Sequence, residues 1–112
     1  MIQVFHYITG DGRDPFGEWL SKQNINVVAR IQQRIDRMRR GNFGDHKGLD
    51  SGLSELRIDY GPGYRVYYGR DGHNIVILLA GGTKKRQARD IEQARIHWKA
   101  YKQEKRNAHK RT

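Results

Sequence analysis

Apolar and polar positions along this chain follow two rhythms, and the changes between them mark its elements. Ile2, Val4, His6 and Ile8 recur at every second residue among β-branched and aromatic neighbours, which predicts a first strand over 2–8. After a loop at 9–13, Asp14-Pro15 offers an N-cap and a first-turn proline. Phe16, Trp19 and Leu20 then make the apolar stripe of a short helix ending near Lys22. Val28, Ile31, Ile35 and Met38 repeat at helical spacing and predict a second helix from about Asn26 to Arg40, paired with the first as a helical hairpin. Its opposite side carries Arg30, Arg34 and Arg37, a basic helix face able to meet RNA or a ribosome. Residues 41–52, with four glycines plus Asn42, Asp45, Asp50 and Ser51, read as a loop.

Period two then returns. Leu56 and Ile58 alternate with Glu55, Arg57 and Asp59, predicting a strand with one buried and one wet face, Arg57 lying on the wet one. Gly61-Pro62-Gly63 supplies turn chemistry, and Tyr64-Arg65-Val66-Tyr67-Tyr68 resumes the alternation as the return arm of a hairpin. With Val66 inward, Arg65 and Tyr67 share the outer face with Arg57. Ile75 to Ala80 is apolar without alternation, as expected of a central strand covered on both sides. It runs into Gly81-Gly82-Thr83-Lys84-Lys85-Arg86. A last helix follows, from about Arg86 or Arg89 to Tyr101, with Ile91, Ala94, Trp98 and Tyr101 as its inner stripe. The predicted class is α+β: a small, mostly antiparallel sheet of about four strands, an N-terminal helical hairpin and a C-terminal helix, in the order β-α-α-β-β-β-α. One domain spans 1–102, and 103–112 reads as a basic, disordered tail.

Composition narrows the partner. The 112 residues hold 22 Lys and Arg against 12 Asp and Glu, a formal charge of +10, which favours a polyanion and nucleic acid first. With 36% hydrophobic residues and a mean hydropathy of −0.94, only a modest core is expected. No apolar run has the ~18 residues of a membrane span, and Met1-Ile2-Gln3-Val4-Phe5 lacks an export signal's charged start, so no membrane partner is expected and the cytoplasm is the default compartment. Zero cysteines exclude disulfides and thiolate metal sites. His6, His46, His73, His97 and His109 include no helical zinc-ligand pair, so neither metal nor cofactor is expected. Gly81-Gly82-Thr83-Lys84 lacks the spacing of a nucleotide-binding P-loop.

RNA carries its own nucleophile. A 2′-hydroxyl can attack the adjacent phosphate, so a protein needs only to align it, stabilise the extra charge and move protons. Arg57 and Arg65 suit the charge, since a planar guanidinium binds two phosphate oxygens and stays cationic. A lysine acts as base where neighbouring cations ease loss of its proton, and Lys84-Lys85-Arg86 is such a cluster.

The ordered set Leu53-Ser54-Glu55-Leu56-Arg57, Gly63-Tyr64-Arg65-Val66-Tyr67-Tyr68 and Gly82-Thr83-Lys84-Lys85-Arg86-Gln87 resembles the RelE/HigB superfamily of bacterial toxins, in its addiction-module killer branch, over residues 2 to 102. The resemblance implies a RelE-like fold and the toxin of a type II toxin–antitoxin system, an mRNA interferase cutting messenger on the ribosome. It puts the catalytic arginine on Arg65, a basic partner on Arg57 and a further base on Lys84 or Lys85. The implied partners are mRNA, the ribosome and a small helix-turn-helix antitoxin. Glu55 stands where RelE has a second lysine, and Asp90-Ile91 where many members carry a tyrosine, leaving Tyr67, Gln87, His46 and His73 as substitutes for stacking or proton transfer. Tyr67, Arg86 and Gln87, with the arginines of the second helix, are the expected RNA contacts. A different class of reading is a noncatalytic RNA- or ribosome-binding module that blocks translation by occupancy. A DNA binder acting alone has no helix-turn-helix pattern to support it.

Overall fold

A computed structural model describes residues 1–110; its first helix begins on the cap that the sequence offers, and its second on Asn24, which the sequence reading did not name as a cap. In α1 (Pro15–Ser21) the Asp14 side chain accepts from the Gly17 N–H at 2.9 Å, and in α2 (Ile25–Arg39) Asn24 accepts from the Val27 N–H at 3.0 Å. The strands are β1 (Gln3–His6), β2 (His46–Asp50), β3 (Leu53–Ile58), β4 (Tyr64–Asp71) and β5 (Ile75–Thr83), followed by a 3₁₀ turn (Lys84–Arg86) and α3 (Gln87–Lys110). They form one sheet in the order β1-β5-β4-β3-β2, antiparallel except where β1 lies parallel to β5.

Two apolar layers hold this sheet. On one face α1 and α2 bring Phe16, Leu20, Ile31, Ile35 and Met38 against Leu56, Val66, Tyr68, Val76 and Leu78. On the other, α3 brings Ala94 and Trp98 against Tyr7, Leu53, Tyr67, Ile77 and Leu79. Strands β4 and β5 are therefore covered on both sides, as the unbroken apolar run at 75–80 predicts. Each fully buried Leu, Ile or Phe adds roughly 1.5–3 kcal/mol over leaving it exposed, so these layers outweigh the surface ion pairs.

The α+β class and element types stand, with three corrections. First, there are five strands rather than about four, because 46–50 is paired with β3 instead of looping. That strand has no hydrophobic rhythm; it is an edge, held through backbone bonds and broken by a register shift between Gly48 and Asp50. Second, the expected tail is helical through Lys110. Residues 102–110 contain no Gly or Pro and are rich in good helix formers, and Asp71 receives bonds from both the Tyr101 hydroxyl and Lys105. Residues 111–112 of that expected tail lie outside the described range. Third, the face of β3 bearing Arg57 is wet only at one end: Leu53 and Glu55 on it are buried beneath α3, and Arg57 is partly covered. Among the described residues no helix is long and apolar enough to cross a membrane.

A candidate phosphate-binding cleft

Arg57 and Arg65 are direct cross-strand partners on β3 and β4, so both side chains leave the same face of the sheet. The turn between these strands closes with the Gly63 N–H donating to the Tyr60 carbonyl at 3.0 Å. Gly63 sits at φ +82°, a conformation that side-chain-bearing residues rarely adopt. Its own carbonyl accepts from the Lys84 N–H at 2.7 Å, which clamps the 3₁₀ turn against the hairpin. A β-carbon there would be in ordinary contact, 3.4 Å from Lys84 Cβ and 3.6 Å from Arg65 Nη1, so the backbone conformation rather than lack of space calls for glycine. Arg57, Arg65 and Lys84, with Asp45, Asp59 and the Gly-Pro-Gly turn, line an open cleft of about 380 Å³.

The charge is finely divided. Three cations face two carboxylates at the rim, and a third carboxylate, Glu55, lies beneath. Glu55 Oε1 is 3.3 Å from both Nε and Nη2 of Arg57, and Oε2 accepts from Gln87 Nε2 at 2.7 Å and lies 3.9 Å from Arg65 Nε. The side chain of Glu55 is 1% exposed, against 12% for Arg65 and 35% for Arg57, so the guanidiniums stand between a buried anion and open solvent. Any anion bound here gains from bidentate geometry more than from a large net field.

Behind the arginines the interior stays polar. Tyr67 pairs with Glu55 across the strands and is fully buried. Burial, then the charges of Glu55 and Asp90, push its phenol well above the usual tyrosine range. Burial also raises the Asp90 carboxyl, against the opposing pull of Arg86 and Arg89. Arg65 Nε, Tyr67 Oη and Asp90 Oδ2 are buried without a hydrogen-bond partner among the described residues.

The residue types singled out from sequence thus separate into those the cleft gathers and those it does not. Arg57, Arg65 and Lys84 meet. Lys85 and Arg86 are exposed on the same 3₁₀ turn but do not line the cleft. Tyr67 is enclosed under α3 and has no face free for a base, and Gln87 turns inward to Glu55 rather than outward to RNA. Arg30, Arg34 and Arg37 belong to α2, on the opposite face of the sheet. There Arg30 stacks 3.9 Å over the Tyr60 ring and Arg37 is exposed. Arg34 is a strut, donating to the carbonyls of Phe43, Asp45 and Arg57. His46 pairs with Leu56 and so faces α2, while His73 lies in the β4–β5 turn at the far end of the sheet. Sequence reading missed Asp45, Asp59 and Lys47, the last sharing the face of Glu55 by register. For Asp59 the signal was its place beside the turn; for Lys47 there was none, since 46–50 carries no strand pattern.

The sequence pattern of the family described as Phage derived protein Gp49-like (DUF891) matches residues 18–112. The chain belongs to that family. An uncharacterized protein of Haemophilus influenzae (strain ATCC 51907 / DSM 11121 / KW20 / Rd) is 50% identical to it over 82 residues, covering 72% of this chain and 83% of its own. The Gp49-like match takes in α2, the whole β2–β5 unit and α3, and so every residue of the cleft. It is coarser than the RelE/HigB branch that the motifs suggest.

Proposed function

We propose that this Gp49-like protein is the toxin of a type II toxin–antitoxin pair and acts as an mRNA interferase, an endoribonuclease working on ribosome-bound messenger. One observation carries the reading: Arg57 and Arg65 face each other across two strands while the Gly63–Lys84 clamp brings a third cation to the same cleft. The family match and the charge of +10 support it. In the proposed reaction these three cations hold one phosphate and stabilise the charge that builds as the 2′-oxygen bonds to phosphorus. The bond to the 5′-oxygen breaks, leaving a 2′,3′-cyclic phosphate and a 5′-hydroxyl. Lys84 and the rim carboxylates of Asp45 and Asp59 are the groups placed to take the 2′-proton and return one to the leaving oxygen. The proposed partner is a small helix-turn-helix antitoxin with an acidic segment that neutralises the cationic face.

Inducing the protein and mapping messenger 5′ ends tests this. Arg65→Ala should remove the new ends, with a loss of roughly 100-fold or more in cleavage, while ribosome association survives. The burial of Tyr67 favours a second reading, in which the protein blocks translation by occupancy, because no exposed aromatic of the cleft stacks a base. Growth arrest with no new 5′ ends would decide for it.

A further inference from the structure

A carboxylate buried directly beneath two phosphate-binding arginines is a paradox on charge alone, because it weakens their attraction for an anion. Removing an anion from water is also costly unless it is well paired. Glu55 is nevertheless among the least exposed polar side chains in the protein. Its contacts resolve the paradox. Arg57 turns Nε and Nη2 toward Oε1, and Arg65 turns Nε toward Oε2 while its Nη1 donates to the Tyr64 carbonyl at 3.0 Å. Arg57 therefore spends one edge of its guanidinium on Glu55, whereas Arg65 is held by its bond to Tyr64 and only faces Glu55 by charge, its Nε making no hydrogen bond among the described residues. The remaining nitrogens, Arg57 Nη1 and Arg65 Nη2, make no hydrogen bond among the described residues. Glu55 is in turn fixed from the helix side, because Gln87 at the start of α3 donates to Oε2 at 2.7 Å.

We infer that Glu55 is a positioning residue: held by Gln87, it fixes Arg57 by hydrogen bonding and draws Arg65 by charge, so that both guanidiniums are presented to one phosphate in the cleft they line. A long arginine side chain left unheld has much rotamer freedom to lose on binding, and ordering two of them in advance removes that cost from the reacting complex. The device exchanges some ground-state affinity for geometry. Its effect falls on the transition state, where alignment matters most. The same contacts tie the cleft to α3, so a shift of the Gln87 turn would reach both arginines. The inference rests on the phosphate-binding reading of this cleft, but its decisive measurements do not require that RNA be cut.

Glu55→Gln removes the charge with little change of shape, and Gln87→Leu removes the outer hold while leaving Glu55 and both arginines present. For the full chain the measurements are thermal unfolding, the Kd for an all-2′-deoxy oligonucleotide, which offers phosphates but no nucleophile, and the NMR signals of the arginine Nε–Hε groups. In Glu55→Gln the Arg57 signal should lose its protection from solvent exchange, and the Arg65 signal should shift as the neighbouring charge is lost. Affinity for the deoxy strand should stay within about threefold or tighten, as lost repulsion offsets lost order, while RNA cleavage falls about 100-fold. Gln87→Leu should give the same pattern at smaller size, and it carries the test if Glu55→Gln does not fold. Unchanged arginine signals in the folded variants, or deoxy-strand affinity and cleavage falling in equal proportion, would overturn the inference. So would unfolding of both variants, which would make Glu55 a stability residue only. If the wild type cuts no RNA while the arginine signals and deoxy-strand affinity respond as described, the endonuclease reading is lost and the positioning role stands.

Discussion

Over opposite ends of the sheet α3 packs in the same way and with opposite chemistry. At one end Trp98 lies on Gly69, where a β-carbon would come within 2.4 Å of the indole; at the other Asp90 lies on Gly82, where a β-carbon would come within 1.8 Å of the carboxylate. Both glycines are there because a side chain closes on the strand. At the Trp98 end the polar groups that α3 brings are paired, although Arg70 Nε on the strand beneath has no partner among the described residues. The indole N–H donates to the Ser51 carbonyl at 2.8 Å, its ring stacks on Tyr101, and Asp71 takes bonds from Tyr101 and Lys105. At the Asp90 end Arg65 Nε, Tyr67 Oη and Asp90 Oδ2 have no partner among the described residues. Unmet buried polar atoms destabilise a fold and gather where geometry serves something else. One end anchors the helix and the other tensions the cleft.

Substitutions should separate these ends. The largest effect belongs to the anchor: Trp98→Ala should cost about 3–5 kcal/mol in urea unfolding, and a loss below 1 kcal/mol would deny the anchoring role. Tyr101→Phe removes only the bond to Asp71 and should cost about 1 kcal/mol. Burial and the Asp71 bond push the Tyr101 phenol up to about 12, so the fold favours its neutral form. That contribution is complete below pH 10 and disappears as pH rises through about 12, which absorbance at 295 nm can follow.

At the cleft end the sign reverses. The fold raises Asp90 above 3.8, so protonated Asp90 adds stability in acid that is lost as pH rises through the raised value. Asp90→Asn should therefore stabilise at neutral pH by less than Tyr101→Phe destabilises, with the gain shrinking as pH falls toward 3.8. Equal stability of the two proteins at every pH would contradict the burial cause. The smallest change is expected for Lys85→Ala, less than about threefold in RNA cleavage, because Lys85 adds general phosphate attraction outside the cleft. Lys84→Ala, measured beside it, should cost more.

Much of the fold was legible because its signals are local. Asp14 caps its helix by reaching its own first turn, and Ile75–Ala80 needs no distant partner to read as a covered strand. The outward pairing of Arg57 with Arg65 also followed from period two and the length of one turn. Period two, however, says which residues share a face and not what lies on it. Only the placement of α3 decided that Glu55 and Tyr67 are buried while Arg57 stays open. The edge strand at 46–50 has backbone pairing and no hydrophobic rhythm, so nothing in its residues announced it. Lys84 and Lys85 are adjacent and chemically alike, and the bond from Lys84 N–H to the Gly63 carbonyl separates their surroundings. Sequence thus determined the elements, the charge and the facing arginines, since these depend on neighbours within a few residues. Which anion sits under the arginines, and which lysine stands over them, depends on contacts between distant residues, Glu55 with Gln87 and Gly63 with Lys84, and tertiary structure alone sets those.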